Sequence, residues 1–162
     1  MFEPGEPPRG ELPADSDVEL RAPRQRRELA GAPVAVLGAV AAGGALGSLA
    51  RWGLGLAFPP GRVGFPWATF GINVSGCMLI GILMVAVTEV WPGRRLLRPF
   101  FGLGVLGGYT TFSTYIMDIG RLLVAGAPAT ALVYLAATVV AALAATYAGT
   151  ASIRWLITRR RR

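Results

Sequence analysis

Four apolar runs, each long enough to cross a bilayer, constrain this chain more than any other feature. They extend from Pro33 to about Ala57, Trp67 to about Val90, Phe100 to about Val124 and Ala129 to about Ile153. Each exceeds the roughly 20 helical residues needed to cross about 30 Å of hydrocarbon. Charge within them is sparse: Arg51 in the first, Glu89 at the end of the second, Asp118 and Arg121 towards the end of the third. A helix on the surface of a soluble protein carries a polar face with a 3.6-residue repeat, and these runs do not. They predict an all-α membrane protein with four transmembrane helices. The connectors 58–66, 91–99 and 125–128 are short and carry the Pro and Gly that end helices, so no soluble enzyme fits between the spans. Trp67, Trp91 and Trp155 fall near the expected interfaces, as an aromatic belt would.

Residues 1–30 differ in kind. They hold five Arg, seven acids and five Pro with few large apolar side chains, and are expected to form a disordered tail. The helical domain is expected over 31–157, followed by a basic C-terminal tail, 158–162. One cysteine, Cys77, excludes an intramolecular disulfide; with no histidine in the chain, a zinc or iron centre is also disfavoured. Ser-His-Asp and Cys-His catalysis are excluded with it, and no enzyme activity is expected.

All 16 basic residues are Arg. Four crossings put both termini and the middle connector on one side, with Arg21, Arg24, Arg26, Arg27, Arg94, Arg95, Arg98, Arg154 and Arg159 to Arg162. The other side has Arg62 and Arg121. The positive-inside rule then places both termini in the cytoplasm of a multi-pass cell-membrane protein. The net charge of +7 is explained by topology, and nucleic acid is not the expected partner. The terminal arginines also suit contact with anionic membrane lipid.

Small residues punctuate the first two runs, with Gly43 and Gly47 in one and Gly71, Ser75 and Gly76 in the other, a pattern that allows close helix packing. Gly102, Gly104 and Gly107 match a dinucleotide-binding fingerprint, but no strand precedes them and no βαβ unit is present, so the match carries no weight. Arg51 either snorkels to the interface or faces a polar cavity. The Asn73 amide is either helix-to-helix glue or a donor to an anion.

The third run carries the most specific pattern, Gly107-Gly-Tyr-Thr110-Thr-Phe112-Ser113-Thr114-Tyr115. Two glycines followed by two threonines favour a helix broken mid-membrane. Such backbone is tolerated only where it is buried in protein or lines a cavity, and its freed carbonyls can ligate a cation. Phe112 and Tyr115 share a face at i, i+3, Ser113 and Thr114 add hydroxyls, and Tyr134 and Thr138 stack at i, i+4 in the last run. The residues read as a polar track for a small ion.

Three motifs together resemble the Fluc (CrcB-type) fluoride channel family: Gly43-Gly-Ala-Leu-Gly47-Ser-Leu-Ala-Arg51, Trp67-Ala-Thr-Phe-Gly-Ile-Asn73-Val-Ser-Gly76, and Gly107 to Tyr115. The resemblance spans roughly residues 34–153. It implies an antiparallel, inverted dimer with two pores that passively exports fluoride. It also implies a structural Na+ at the dimer interface, held by the backbone carbonyls of Gly107 and Thr110. Asn73, Phe112, Ser113, Thr114, Tyr134 and Thr138 match the family's fluoride pathway. Tyr115 stands where the family has a second phenylalanine, Asp118 where many members have Glu, and Arg51 matches a first-helix arginine of vestibule or structural role. Homodimeric members insert both ways and carry little charge bias. The twelve-to-two arginine bias therefore favours a heterodimer with an oppositely oriented homologous subunit over a homodimer. A small multidrug-type antiporter would need an acid in the first helix, where this chain has Arg51. A non-transporting tetraspan subunit would leave the third motif unexplained.

Overall fold

The computed structural model describes residues 33–59, 61, 63–91 and 93–160. The expected N-terminal tail lies outside the described residues. Helix α1 is Pro33–Ala57, and α2, Trp67–Val85, continues through a π-helical turn, Ala86–Val90. Helix α3 comprises Arg98–Leu106, wound as a π-helix, and the single turn Gly107–Tyr109. Helix α4, Ser113–Val124, follows after three non-helical residues, and α5 is Pro128–Arg160. The described residues are all helix and connector.

Three helical stretches, Val34–Ala57, Trp67–Val90 and Pro128–Arg159, are long and apolar enough to cross a membrane. The remaining apolar run is divided between α3 and α4, neither of which reaches bilayer thickness alone. At 33 residues α5 is about 50 Å long, and it runs beyond the end near Ile153 that its apolar pattern predicts. Its last turns mix Ile153, Trp155, Leu156 and Ile157 with arginines: Arg154 reaches Glu89 at 3.5 Å, and the Arg159 guanidinium lies 4.0 Å over the Trp155 ring.

Two glycine seams set how closely the helices approach. A methyl group on Gly43 would lie 2.9 Å from Val105 N and collide with the Phe100 carbonyl, and one on Gly47 would collide with Val105 O. The fit is reciprocal, since a methyl on Gly104 would lie 2.9 Å from Gly43 Cα. Helices α1 and α3 therefore touch backbone to backbone. Helices α2 and α5 do the same through Gly81, whose added Cβ would lie 2.5 Å from Thr146 O, and Gly149, which faces Met78 O. Lipid supplies no hydrophobic drive to helix association, so contact of this kind holds the bundle. Gly71, in contrast, has open space where its side chain would be. The expected role in packing belongs to Gly43 and Gly47 but not to Gly71 within this chain.

One buried cluster is formed by Tyr115, Leu122, Ala131 and Tyr134, packed against Phe65, Phe70 and Ile119. The rings form a continuous file. Trp67 to Phe65 is 4.5 Å between centroids, Phe65 to Tyr134 5.2 Å, Tyr134 to Tyr115 5.2 Å, and Tyr115 to Phe112 6.0 Å. It leads from the α1–α2 connector to the α3–α4 interruption.

Candidate functional site

The site is built around the residues between α3 and α4. Helical geometry stops at Thr110, which is extended (φ −78°, ψ 158°). Its N–H and its Oγ1 both donate to the Leu106 carbonyl, at 3.0 and 2.9 Å, which closes the last turn. The next peptide has no helical partner, and α2 supplies one. Thr111 N–H donates to Asn73 Oδ1 at 2.9 Å, and Asn73 Nδ2 donates to Thr111 O at 2.9 Å. The primary amide thus pairs with Thr111 as a neighbouring β-strand would. Restart of the helix is capped by Thr111 Oγ1, which accepts from Thr114 N–H at 3.2 Å. The same hydroxyl donates to Thr114 Oγ1 at 3.1 Å and lies 3.2 Å from Ser113 Oγ.

Helix α1 treats the carbonyl side of the interruption. In a continuous helix Gly108 O would accept from residue 112. Here it accepts from Arg51 Nε at 3.0 Å and from Ser48 Oγ at 3.4 Å. Arg51 is therefore directed inward to a freed carbonyl and does not snorkel. Glycine at 108 is required, because a side chain there would collide with Gly44 O of α1. Among the described residues no donor reaches the carbonyls of Gly107 or Thr110.

Two open cavities flank this point, and Thr111 lines both. One, of about 760 Å³, is walled by Ser48, Arg51, Thr69, Thr111, Thr114 and Asp118 together with apolar residues of α1 and α2. The other, of about 640 Å³, includes Asn73, Gly107, Thr110, Phe112, Tyr115 and Thr138. Most of the residues singled out in the sequence are thereby brought together. Ser113 is exposed and lines neither cavity, and Tyr134 is fully buried beneath the aromatic file. Phe112 is 75% exposed, while Tyr115 is buried with its hydroxyl donating to the Leu135 carbonyl at 2.8 Å. The extra oxygen that distinguishes Tyr115 from phenylalanine thus ties α4 to α5. The Thr138 hydroxyl donates to Tyr134 O, 2.7 Å away on its own helix.

Sequence reasoning missed Ser48, Thr69 and Thr111 as working parts. Helical spacing held the signal for two of them. Ser48 is three residues before Arg51, and Thr69 is four before Asn73, so each shares a face with a residue already singled out. Thr111 lay inside the motif, but only the fold reveals that its peptide needs a partner.

These features define a class: a small all-helical membrane protein in which an interrupted helix, stitched by side chains of its neighbours, separates two cavities with polar groups in their walls. Residues 38–150 match the family model described as CrcB-like protein, Camphor Resistance (CrcB). The chain is 51% identical over 131 residues to a protein of Streptomyces avermitilis named fluoride-specific ion channel FluC 2, covering 81% of this chain and 83% of that one. It is 55% identical over 123 residues to a Nocardia farcinica protein of the same name, covering 75% and 86%. A second Streptomyces avermitilis protein, named FluC 3, is 49% identical over 125 residues, covering 77% of this chain and 61% of that one. The chain belongs to the CrcB family.

Proposed function

We propose that this chain is a subunit of a fluoride-specific ion channel that lets fluoride leave the cytoplasm passively. The observation that carries the reading is the interrupted helix between two cavities, in a chain about half identical to proteins named as fluoride channels. Fluoride is small and strongly hydrated, so a selective path must replace its water with neutral donors that still release it. Hydroxyls of Thr111 and Thr114, the second N–H of the Asn73 amide and the exposed edge of Phe112 are donors of that kind, with Ser113, Tyr115, Tyr134 and Thr138 further along the path. Arg51 and Asp118 mark the vestibule.

In this reading the segment 98–124 crosses the membrane as a fourth, broken span, and both termini are cytoplasmic. The exposed Phe112 and the groove beside it receive a second, oppositely oriented subunit. The Gly107 and Thr110 carbonyls, without hydrogen-bond donors, suit a hard monovalent cation such as Na+. Two oxygens from one chain leave such an ion under-coordinated, so the partner completes its shell. A homologous partner rather than a second copy agrees with the one-sided arginines and with two proteins, FluC 2 and FluC 3, in one organism.

Fluoride efflux from liposomes, followed with a fluoride electrode, tests this for the chain alone and co-reconstituted with a homologous partner. Efflux above that of empty liposomes is expected with the partner, and its absence in both preparations overturns the channel reading. Phe112→Ile is expected to lower efflux at least tenfold with no change in the size-exclusion profile of the assembly.

A further inference from the structure

Only two acidic residues lie beyond residue 30, Glu89 and Asp118, and they are treated differently. Glu89 is at the exposed end of α2, paired with Arg154. Asp118 is 7% exposed, inside the bundle, and contributes to the wall of the 760 Å³ cavity. A carboxylate there opposes passage of any anion unless its charge is matched locally. Both its oxygens are engaged. Oδ2 accepts from Thr69 Oγ1 of α2 at 2.7 Å, and Oδ1 lies 3.1 Å from Arg121 Nη2, one turn along α4.

Arg121 is the charged group this arrangement depends on, and the polar track did not include it. Among the described residues, its Nε and Nη2 atoms are covered by protein yet make no well-aligned hydrogen bond, and the fully buried Tyr134 hydroxyl is likewise without a partner. The Tyr134 ring packs against that of Tyr115, one turn before Asp118 on α4, with centroids 5.2 Å apart. Covered donors of this kind are rare in folded proteins and are ordinarily met by water or an ion. At this end of the bundle, then, donors outnumber acceptors around a single carboxylate. Among the described residues Arg51 supplies the one other full charge in the cavity wall, and its Nε is committed to Gly108 O.

We infer that Arg121 is a positioning residue for anion passage: it holds Asp118 against Thr69 and cancels its charge, so that the cavity these two residues line does not repel the permeating ion. The inference rests on the channel reading for its consequence but not for its geometry. It goes beyond the track of hydroxyls and aromatic edges, because it assigns the rate at this end of the path to a charge balance between two side chains of α4.

The test compares Arg121→Gln, Arg121→Lys and the double variant Asp118→Asn with Arg121→Gln, each in the full chain with its partner. Fluoride efflux is expected to fall about tenfold in Arg121→Gln, to stay within about threefold of the parent in Arg121→Lys, and to be at least threefold higher in the double variant than in Arg121→Gln. A merely structural arginine would not be rescued by removing the charge it faces. Unchanged efflux in Arg121→Gln, or a double variant no better than it, overturns the inference. Thermal unfolding of the purified chains gives a second readout independent of transport. The destabilisation by Arg121→Gln is expected to be at least halved when Asp118 is already Asn, and strict additivity overturns the pairing. A parent chain without efflux counts against the channel reading, and the unfolding cycle then still decides whether the two charges are coupled.

Discussion

The α1–α3 seam and the α3–α4 interruption lie within one turn of each other but are held by opposite means. Along the seam Gly43, Gly47 and Gly104 remove side chains so that backbones meet, and no polar atom is needed. At the interruption, side chains are added from elsewhere: Asn73 to the Thr111 peptide, Arg51 and Ser48 to the Gly108 carbonyl. The difference teaches that helical backbone inside a bundle can be interrupted only where its neighbours are close enough to supply the lost hydrogen bonds. Gly108 belongs to both regions, and its proximity to Gly44 brings α1 within reach.

The comparison breaks most severely at the seam. Gly47→Leu would drive a side chain into Val105 O and Tyr109 N, and is expected to destabilise the chain by more than about 3 kcal/mol. Loss of the monodisperse peak on size exclusion would register it, and a normal peak with an unchanged melting temperature would contradict backbone contact there. Asn73→Leu should come next, at roughly 2–4 kcal/mol, because it leaves both Thr111 N–H and Thr111 O without partners. Thermal unfolding measures that cost. Asn73→Asp keeps the acceptor for Thr111 N–H but sets an oxygen against Thr111 O, so it should lose both stability and fluoride efflux.

Arg51→Gln is a milder probe of the same stitching. It removes one charge-assisted bond to Gly108 O, worth about 1.5–3 kcal/mol at most, while Ser48 stays in place. A melting temperature equal to that of the parent would show that Ser48 alone satisfies the carbonyl. The smallest effect is expected at Gly71→Ala. Nothing lies within 4 Å of the added methyl, and alanine favours helix over glycine by about 0.5–1 kcal/mol. A slight gain in the unfolding temperature of the isolated chain is expected, and a clear loss would place a packing partner against that face.

The apolar pattern alone located α1 and the beginnings of α2 and α5 closely, because hydrocarbon thickness imposes length and the flanking Pro, Gly and Arg mark the ends. It was less accurate at the end of α5, which continues to Arg160: helix persists wherever backbone hydrogen bonds are made, and Arg154 and Arg159 find partners in Glu89 and the Trp155 ring. Gly107-Gly-Tyr-Thr-Thr pointed to the interruption, since glycine and threonine weaken a helix locally. The π-helical winding of Arg98–Leu106 had no comparable signal. It accompanies the approach of α1, which presses Gly43 against the Phe100 carbonyl and Val105 N.

By itself the sequence determined which segments are apolar, where the backbone is easiest to interrupt, and that two acids and a few arginines lie among hydrophobic residues. Those are local properties, set by side-chain chemistry and chain propensity. Only the tertiary structure decided what each polar group meets. It aimed Arg51 at Gly108 O rather than at the interface, turned the Asn73 amide onto the Thr111 peptide, tied the Tyr115 phenol to Leu135 O, and set Asp118 between Thr69 and Arg121. Except for Arg121, these partners are separated by between 20 and 57 residues along the chain. Hydrogen bonds act over about 3 Å, so only the packed helices could choose them.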